Sequence, residues 1–539
     1  MNFPPQTLPQ RLKAAVLVCA LLFAATMPVA RCEGDVADEV LLRECRRAIT
    51  RWDADRAREI VGQLKRRHPG QPVMAALAAQ AAFIAGRYQE CREHLRILED
   101  AGQDTPQPIA GISEELEELH GSFRKMESET FRLRWVDPAD QVVAEYAPEV
   151  LEKALKSLSN ALQWEHTGSK ILVEIYPDLE SFATATTLSM EEINTSGAVA
   201  ICKFNRIMIT SPRLYLQGYR WADTLAHELT HYVLIRKTGH DIPVWLHEGI
   251  AKYCETLWRN GGSTKRLTPM QATLLAEARE GNRYISFDRM HTSLVKLDSG
   301  EEVALAYAEV VSFIHFLRDV RGDNCLPLLI EQVAGGKDVQ IALQNATGLA
   351  ADRLIRRWKE WLDAQKLDRI PGLRVLPRKL SEGQDNTGRT ADLSGVLPEE
   401  AYRFLRLGDM LRDQSRPGAA VMEYRKAIGS TEQIFPHLQV RLARMELRSR
   451  QLASAEQTLR KMARYYPDHF PLHLARAELE RRRNNLDRAV ANLETAAHIN
   501  PFDPRVHQAL AGLYAATGQP ERRKREERVL QRLYKWLGW

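Results

Sequence analysis

The sequence predicts an α+β unit, a small mixed sheet with a helical subdomain, flanked on both sides by all-α helical hairpins. Three observations lead there. Residues 128–212 hold short runs that read as strands, including the alternating Thr130–Val136 and the apolar Ile171–Tyr176. Residues 221–365 carry apolar residues at helical spacing. Near the C-terminus small and apolar residues recur every 34 positions, from Ala455 to Ala489 and from Pro467 to Pro501.

Length and charge set bounds first. The chain has 539 residues, enough for several domains. Its net charge of +5 is spread over many Arg, Lys, Glu and Asp residues. That pattern reads as solvated helix faces and gives no ground for a nucleic-acid partner. Residues 1–32 read as a secretory signal. Arg11 and Lys13 precede the apolar run Ala14–Met27, which is short for a membrane span. The segment predicts a secreted or periplasmic protein with no membrane span, an uncleaved signal anchor being the alternative. Seven cysteines, two of them in the signal, form no CxxC pair and no disulfide framework.

Residues 37–102 read as two helical hairpins. Ala57, Val61 and Leu64 are echoed 34 positions on by Cys91, Leu95 and Leu98. In 128–366, Ala147–Leu162 reads as an amphipathic helix, with Pro148 in its first turn. Ala198–Cys202 and Ile207–Thr210 read as a strand hairpin. Ala304–Leu317 and Leu354–Leu362 are amphipathic helical runs. Residues 367–398 lose periodicity and carry Pro371, Gly372, Pro377, Gly383, Gly388 and Gly395, a linker composition. In 399–539, the sets Ala420/Tyr424/Ala427, Ala455/Leu459/Met462 and Ala489/Leu493/Ala496 let paired helices approach closely. This resembles tetratricopeptide repeats, which implies a protein partner held in their groove. Such arrays contact mainly their own neighbours, so 399–539 is expected to fold alone.

The chemistry sits in Thr224–His231 and Trp245–Ala251. His227 and His231 are four apart and share one helix face. Two imidazoles so placed can reach one zinc ion, and Glu228 between them can take a proton from water. A third ligand is needed. Lys237 stands where one zincin pattern would have histidine. His240, in the following turn, is an alternative. Glu248, on a second helix opened by Pro243, is the better candidate, because two antiparallel helices can bring it to the histidines.

His-Glu-Leu-Thr-His followed by P-x-W-L-x-E-G-x-A resembles the gluzincin metallopeptidases, in particular the peptidase MA-like group near the aminopeptidases with a WLNEG motif. The resemblance implies one Zn2+ per chain, held by His227, His231 and Glu248, with Glu228 as general base. It implies a thermolysin-like catalytic domain over 128–366. His247 stands where those aminopeptidases have asparagine. Their sheet edge binds substrate backbone, and Gly197, Ala198 and Val199 are the matching candidates here. The glutamate that binds a substrate amino terminus in those enzymes is missing, which favours an endopeptidase acting on peptide or protein. Related enzymes also use a tyrosine to hold the oxyanion. Tyr307 is the candidate by position, with Tyr284 and His291 as fallbacks. A second reading keeps the fold and drops the chemistry: a repeat scaffold carrying an inert zincin domain, or one that hydrolyses a non-peptide bond.

Overall fold

The computed structural model describes residues 36–107, 109–259, 267–290, 294, 297–376, 380 and 396–539. The expected signal segment and His291 lie outside the described residues.

The chain opens with two helical hairpins, α1 (Val36–Thr50) with α2 (Ala54–Arg67) and α3 (Pro72–Ile84) with α4 (Tyr88–Asp100). Asp53 caps α2 by accepting from the Arg56 amide. Helix α3 is alanine-rich and buried from Met74 to Ile84. One face joins the central core through Leu77 and Ala81, and the other joins a second core through Ala79 and Phe83. A further helix, α5 (Ile109–Gly121), leads into the sheet. Its alternation of glutamates and apolar residues was not singled out by the repeat period.

Five strands follow: β1 (Arg124–Glu127), β2 (Phe131–Trp135), β3 (Ile171–Tyr176), β4 (Ala200–Lys203) and β5 (Arg206–Thr210). Helix α6 (Ala147–Leu162) crosses between β2 and β3, and short α7 (Leu179–Thr186) and α8 (Met190–Ser196) precede β4. The order is β1-β2-β3-β5-β4, with β2, β3 and β5 parallel and both outer strands antiparallel to their neighbours. Central β3 is buried along its whole length, Glu174 included. Arg134 lies 3.6 Å from Glu174 and Arg206 3.8 Å, and the Tyr88 and Tyr176 hydroxyls donate to it. Tyr88 comes from α4, so this buried charge cluster ties the first hairpins to the sheet.

Strands β4 and β5 are joined by Phe204-Asn205, both at positive φ (54° and 61°), the conformation of a two-residue type I′ turn. Helix α9 (Trp221–Thr238) packs beneath β4 and β5, and α10 (Val244–Cys254) returns antiparallel to it. After α11 (Pro269–Glu280), the long α12 (Gly300–Arg321) covers α10. Then come α13 (Cys325–Ala334), α14 (Val339–Thr347) and α15 (Ala351–Ala364). The Trp358 indole N–H of α15 donates to Ser312 Oγ of α12 at 3.0 Å, closing the subdomain.

Four helical hairpins end the chain: α16 (Glu399–Asp413) with α17 (Pro417–Gly429), α18 (Pro436–Arg448) with α19 (Leu452–Tyr465), α20 (Phe470–Arg482) with α21 (Leu486–Ala497), and α22 (Pro504–Ala516) with α23 (Pro520–Leu537). The small residues of the 34-residue period are buried between paired helices: Ala420, Ala455 and Ala489 are all 0% exposed. The array also contacts the segment that leads into α9 and the helix before β3. The Tyr219 amide donates to Ile499 O (3.1 Å), and the Trp221 indole donates to Ala497 O (3.0 Å). Tyr146 donates to Glu526 Oε2 (2.5 Å) beside His507, and Arg525 pairs with Glu149 (2.8 Å). The first part of the predicted linker is also packed. Leu373 is buried with Val440 and Leu459, and the Ile434 amide donates to Gly372 O. The described part of that stretch over 367–376 holds no helix, and its packing was not visible in the pattern of prolines and glycines.

Among the described residues no helix is long and apolar enough to cross a membrane. Cys45, Cys91, Cys202, Cys254 and Cys325 are buried and unpaired.

Candidate metal centre

Helix α9 carries His227, Glu228 and His231, and α10 brings Glu248 against them. Both histidines turn Nε2 toward a common point: the two Nε2 atoms are 3.1 Å apart. Two carboxylates approach them. Glu228 offers an oxygen in a group with both rings whose ligand atoms lie within 4.8 Å of one another. Glu248 comes closer, with Oε2 at 3.3 Å from His227 Nε2 and Oε1 at 3.6 Å from His231 Nε2. Four ligands at about 2.0–2.1 Å around zinc stand roughly 3.3 Å from one another. The His227/His231/Glu248 spacing therefore fits such an ion, and Glu228 stands beside the triad. His240 is not part of it. Its ring packs edge-on against Trp52 (5.3 Å) and bonds the Thr50 backbone.

Each histidine is held from behind. His227 Nδ1 faces Glu255 Oε2 at 3.3 Å, and Lys252 pairs with Glu255 at 2.8 Å. His231 Nδ1 lies 2.5 Å from His247 Nδ1, the two rings nearly parallel at 5°. With Nε2 of His231 turned to the ligand point, its Nδ1–H donates and neutral His247 accepts. Such partners fix ring orientation and tautomer. Neither Glu255 nor His247 was singled out as a site residue. Glu255 follows Glu248 by seven residues, two helical turns on the same face, and that phase was the available signal.

The electrostatics follow from burial and crowding. Burial opposes charge on His227, but hydrogen bonds to Glu248 and Glu255 outweigh it and lift the imidazole to about 10. Burial would raise Glu248, yet the adjacent His231 and His227 hold it well below the usual carboxylate range. Burial, with the nearby His231, pushes His247 well down, so it stays neutral. Glu228 is raised by burial despite both histidines, and the Cys202 amide donates to it. A raised carboxylate suits a group that must take up and return a proton.

Tyr307, from α12, donates its hydroxyl to Glu248 Oε2 at 3.2 Å. Burial, and then the charge of Glu248, holds its phenol well above the ordinary value, so it keeps its proton. Of the fallbacks, Tyr284 packs against Trp358 at 6.0 Å, under Lys359, as part of the subdomain core.

The edge strand needs a correction. Gly197 ends α8 at φ 65°, and Val199 spends its carbonyl on the Thr210 amide at 2.8 Å. Strand β4 begins at Ala200. Since Val199 bonds inward to β5, alternation turns the N–H and C=O of Ala200 and Cys202 to the open edge. The Cys202 amide bond to Glu228 agrees with that phase. Gly197, Ala198 and Val199 line the same cleft but lead into the edge and do not form it.

The centre opens on a cavity of about 2130 Å³. One wall is β4 and the segment before it, another is α12 with Tyr307 and Val311, and a third comes from the C-terminal hairpins around Pro467–His473. This third wall was not expected from sequence.

Residues 163–364 match the family model of the Peptidase MA superfamily. The chain thus carries a Peptidase MA superfamily domain together with tetratricopeptide-like helical repeats. Members of that superfamily are commonly zinc-dependent. Among solved structures, a thermophilic TPR protein of Thermus thermophilus is similar at 22% identity, covering 25% of this chain and 74% of its own, with a TM-score of 0.23. Yeast Tom70 is similar at 13% identity, covering 90% of this chain and 89% of its own, with a TM-score of 0.21. No curated protein gives a significant sequence match.

Proposed function

We propose that this protein is a zinc-dependent metallopeptidase of the gluzincin type, exported through its N-terminal segment and acting as an endopeptidase. The observation that carries the reading is the convergence of His227 Nε2, His231 Nε2 and Glu248 within 3.1–3.6 Å, with Glu228 alongside. These three side chains would hold the ion. A bound zinc would supply Lewis acidity at the scissile carbonyl and make water acidic enough to react at neutral pH. Glu228 takes the proton from that water and later passes it to the leaving amine. Tyr307 keeps its proton and lies beside the ligand carboxylate, where its hydroxyl can donate to the developing oxyanion. The open edge at Ala200 and Cys202 can align an extended peptide by strand addition.

Zinc content and cleavage of a peptide library test the assignment together. Wild type is expected to hold one zinc and to cleave. Glu228→Gln should keep the metal and lose hydrolysis, because it removes a base and no ligand. His227→Ala, His231→Ala and Glu248→Ala should each lose the metal. Metal retained in Glu248→Ala and lost in His240→Ala would overturn the third ligand. Tyr307→Phe should keep zinc while turnover falls by roughly 10²–10³.

A further inference from the structure

The wall contributed by the C-terminal hairpins holds polar groups that the chemistry above does not use. His469 precedes α20 as its N-cap residue, and its side chain makes no capping bond. His469, His473 and Arg476 fall at i, i+4 and i+7, on one face, and all three line the cavity that contains the metal centre. His469 is 7% exposed and His473 5%. Even so, His469 Nε2 and His473 Nδ1 are buried without a hydrogen-bond partner. His473 Nε2 is committed, donating to Pro467 O at 2.7 Å. Arg476 is half-buried, and Glu480 acts on it electrostatically without closing an ion pair. Buried polar atoms without partners are costly, so two on one face of a cleft, beside the half-buried Arg476, mark a place where a ligand completes the bonding.

The surroundings select the ligand. Arg220 and Arg476 both act on His473, and His437 sits edge-on to His469 at 4.3 Å. The one acid in that turn, Asp468, is paired with Arg220 and also feels Lys252 and Arg259. The first turn of α20 adds the positive end of the helix dipole. A second metal is disfavoured. Among the described residues, no group of three ligand atoms other than that at His227, Glu228 and His231 gathers closely enough. An anion with an adjacent N–H donor fits instead: His469 Nε2–H and Arg476 donate to it, and His473 Nδ1 accepts.

We propose that His469, His473 and Arg476 form a carboxylate-binding subsite of the substrate cleft, which takes a carboxylate of the polypeptide together with a neighbouring backbone N–H. The carboxylate comes from an acidic side chain or from the chain's C-terminus. The proposal rests on the metallopeptidase reading only for the identity of the molecule that carries the carboxylate.

The test uses full-length, zinc-loaded Glu228→Gln protein, which should bind substrate without cutting it. Its probes are three pools of dye-labelled random decapeptides: one with free C-termini, one amidated, and one amidated with all acidic residues excluded. Retention on the protein is read by sequencing and anisotropy. About tenfold tighter binding of free-acid peptides assigns the C-terminus, and enrichment of Asp or Glu at one position in the amidated pool assigns a side chain. In Arg476→Ala and His469→Ala the preference should vanish with zinc content unchanged. Arg476→Glu should invert it toward peptides with Lys or Arg. Equal binding of all three pools, or a preference that survives Arg476→Glu, overturns the subsite. Failure of the peptidase reading shows separately, as zinc-loaded wild type that cleaves none of the pools.

Discussion

His227 and His231 meet their ligand point through Nε2, so the groups behind Nδ1 decide how firmly they are held. Glu255 at 3.3 Å serves His227, and His247, its ring stacked parallel, serves His231. Removing such a partner typically costs 10–100-fold in metal affinity. Glu255→Ala should therefore keep the fold and weaken zinc by about that factor in a chelator competition, with Glu255→Gln between it and wild type. Unchanged affinity would mean that His227 is oriented by something else. His227, Glu228 and His231 were legible because a helix imposes its period on sequence, and Glu248 because of the W-L-x-E-G-x-A run around it. Glu255 and His247 were not, because their role depends on how one helix leans on another. A second residue sets pH behaviour. Glu309 is fully buried, with one oxygen bonded to the Ile285 amide and the other unpartnered. Burial raises its carboxyl to about 8. The folded state then binds this proton more tightly than the unfolded state does. Its contribution is fully present below the unfolded value near 4.5 and is lost as pH rises toward 8. Asp140, raised by burial to about 7, acts in the same direction. Urea midpoints should fall between pH 5 and 8, and Glu309→Gln should remove a share of that fall, on the order of 4 kcal/mol at most.

Between elements, the spacing of α10 and α12 places Tyr307 against Glu248. Gly249, next to Glu248, makes that spacing possible. A Cβ there would lie 3.0 Å from Val310 O and 3.2 Å from Ile314 on α12. The near atom is backbone and cannot rotate away. Alanine would set this contact against a gain of about 1 kcal/mol in helix propensity. Valine adds bulk with a poorer propensity, so Gly249→Val should cost about 1–3 kcal/mol and push α12 outward. Turnover should then drop further than zinc affinity, since the ligands lie on α9 and α10 while Tyr307 rides on α12. Equal losses in both would place the damage in α10 itself. The glycine in the W-L-x-E-G-x-A run was visible in sequence, but its reason was not, because the neighbour it admits is about sixty residues away. The edge strand shows the same limit. Its existence was legible as one of two short strand-like runs in a hairpin, whereas its phase was fixed by the two-residue turn at Phe204-Asn205 and by the Val199–Thr210 bond. A one-residue difference in phase exchanges the groups that face the cleft.

Across the whole molecule, the hairpins of 399–539 grip the segment that leads into the metal helix. A 34-residue period reports contacts between neighbouring repeats and is silent on what the array leans against, so this docking could not be read from it. The docking concentrates on Gly218, three residues before α9. Its φ is +68°, and a Cβ would lie 2.1 Å from Ile499 O, an atom that also accepts the Tyr219 amide. Neither the backbone conformation nor the space admits a side chain. Gly218→Ala must therefore break the Tyr219–Ile499 bond or move the turn at 497–500, which also carries the acceptor for the Trp221 indole. The expected cost is about 1–3 kcal/mol, and it should be localised. Hydrogen exchange should speed at the Tyr219 amide and around Ile499, while the hairpin cores at Ala455 and Ala489 stay protected. Gly512, inside α22 with nothing near its Cβ position, is the matched control. Gly512→Ala should leave exchange unchanged and add up to about 1 kcal/mol through helix propensity. Because α9 loses its anchor only at the N-terminal end, zinc affinity in Gly218→Ala should fall less than binding of peptides that span the cleft. Wild-type exchange at Tyr219 in that variant would show that the repeats do not hold the metal helix.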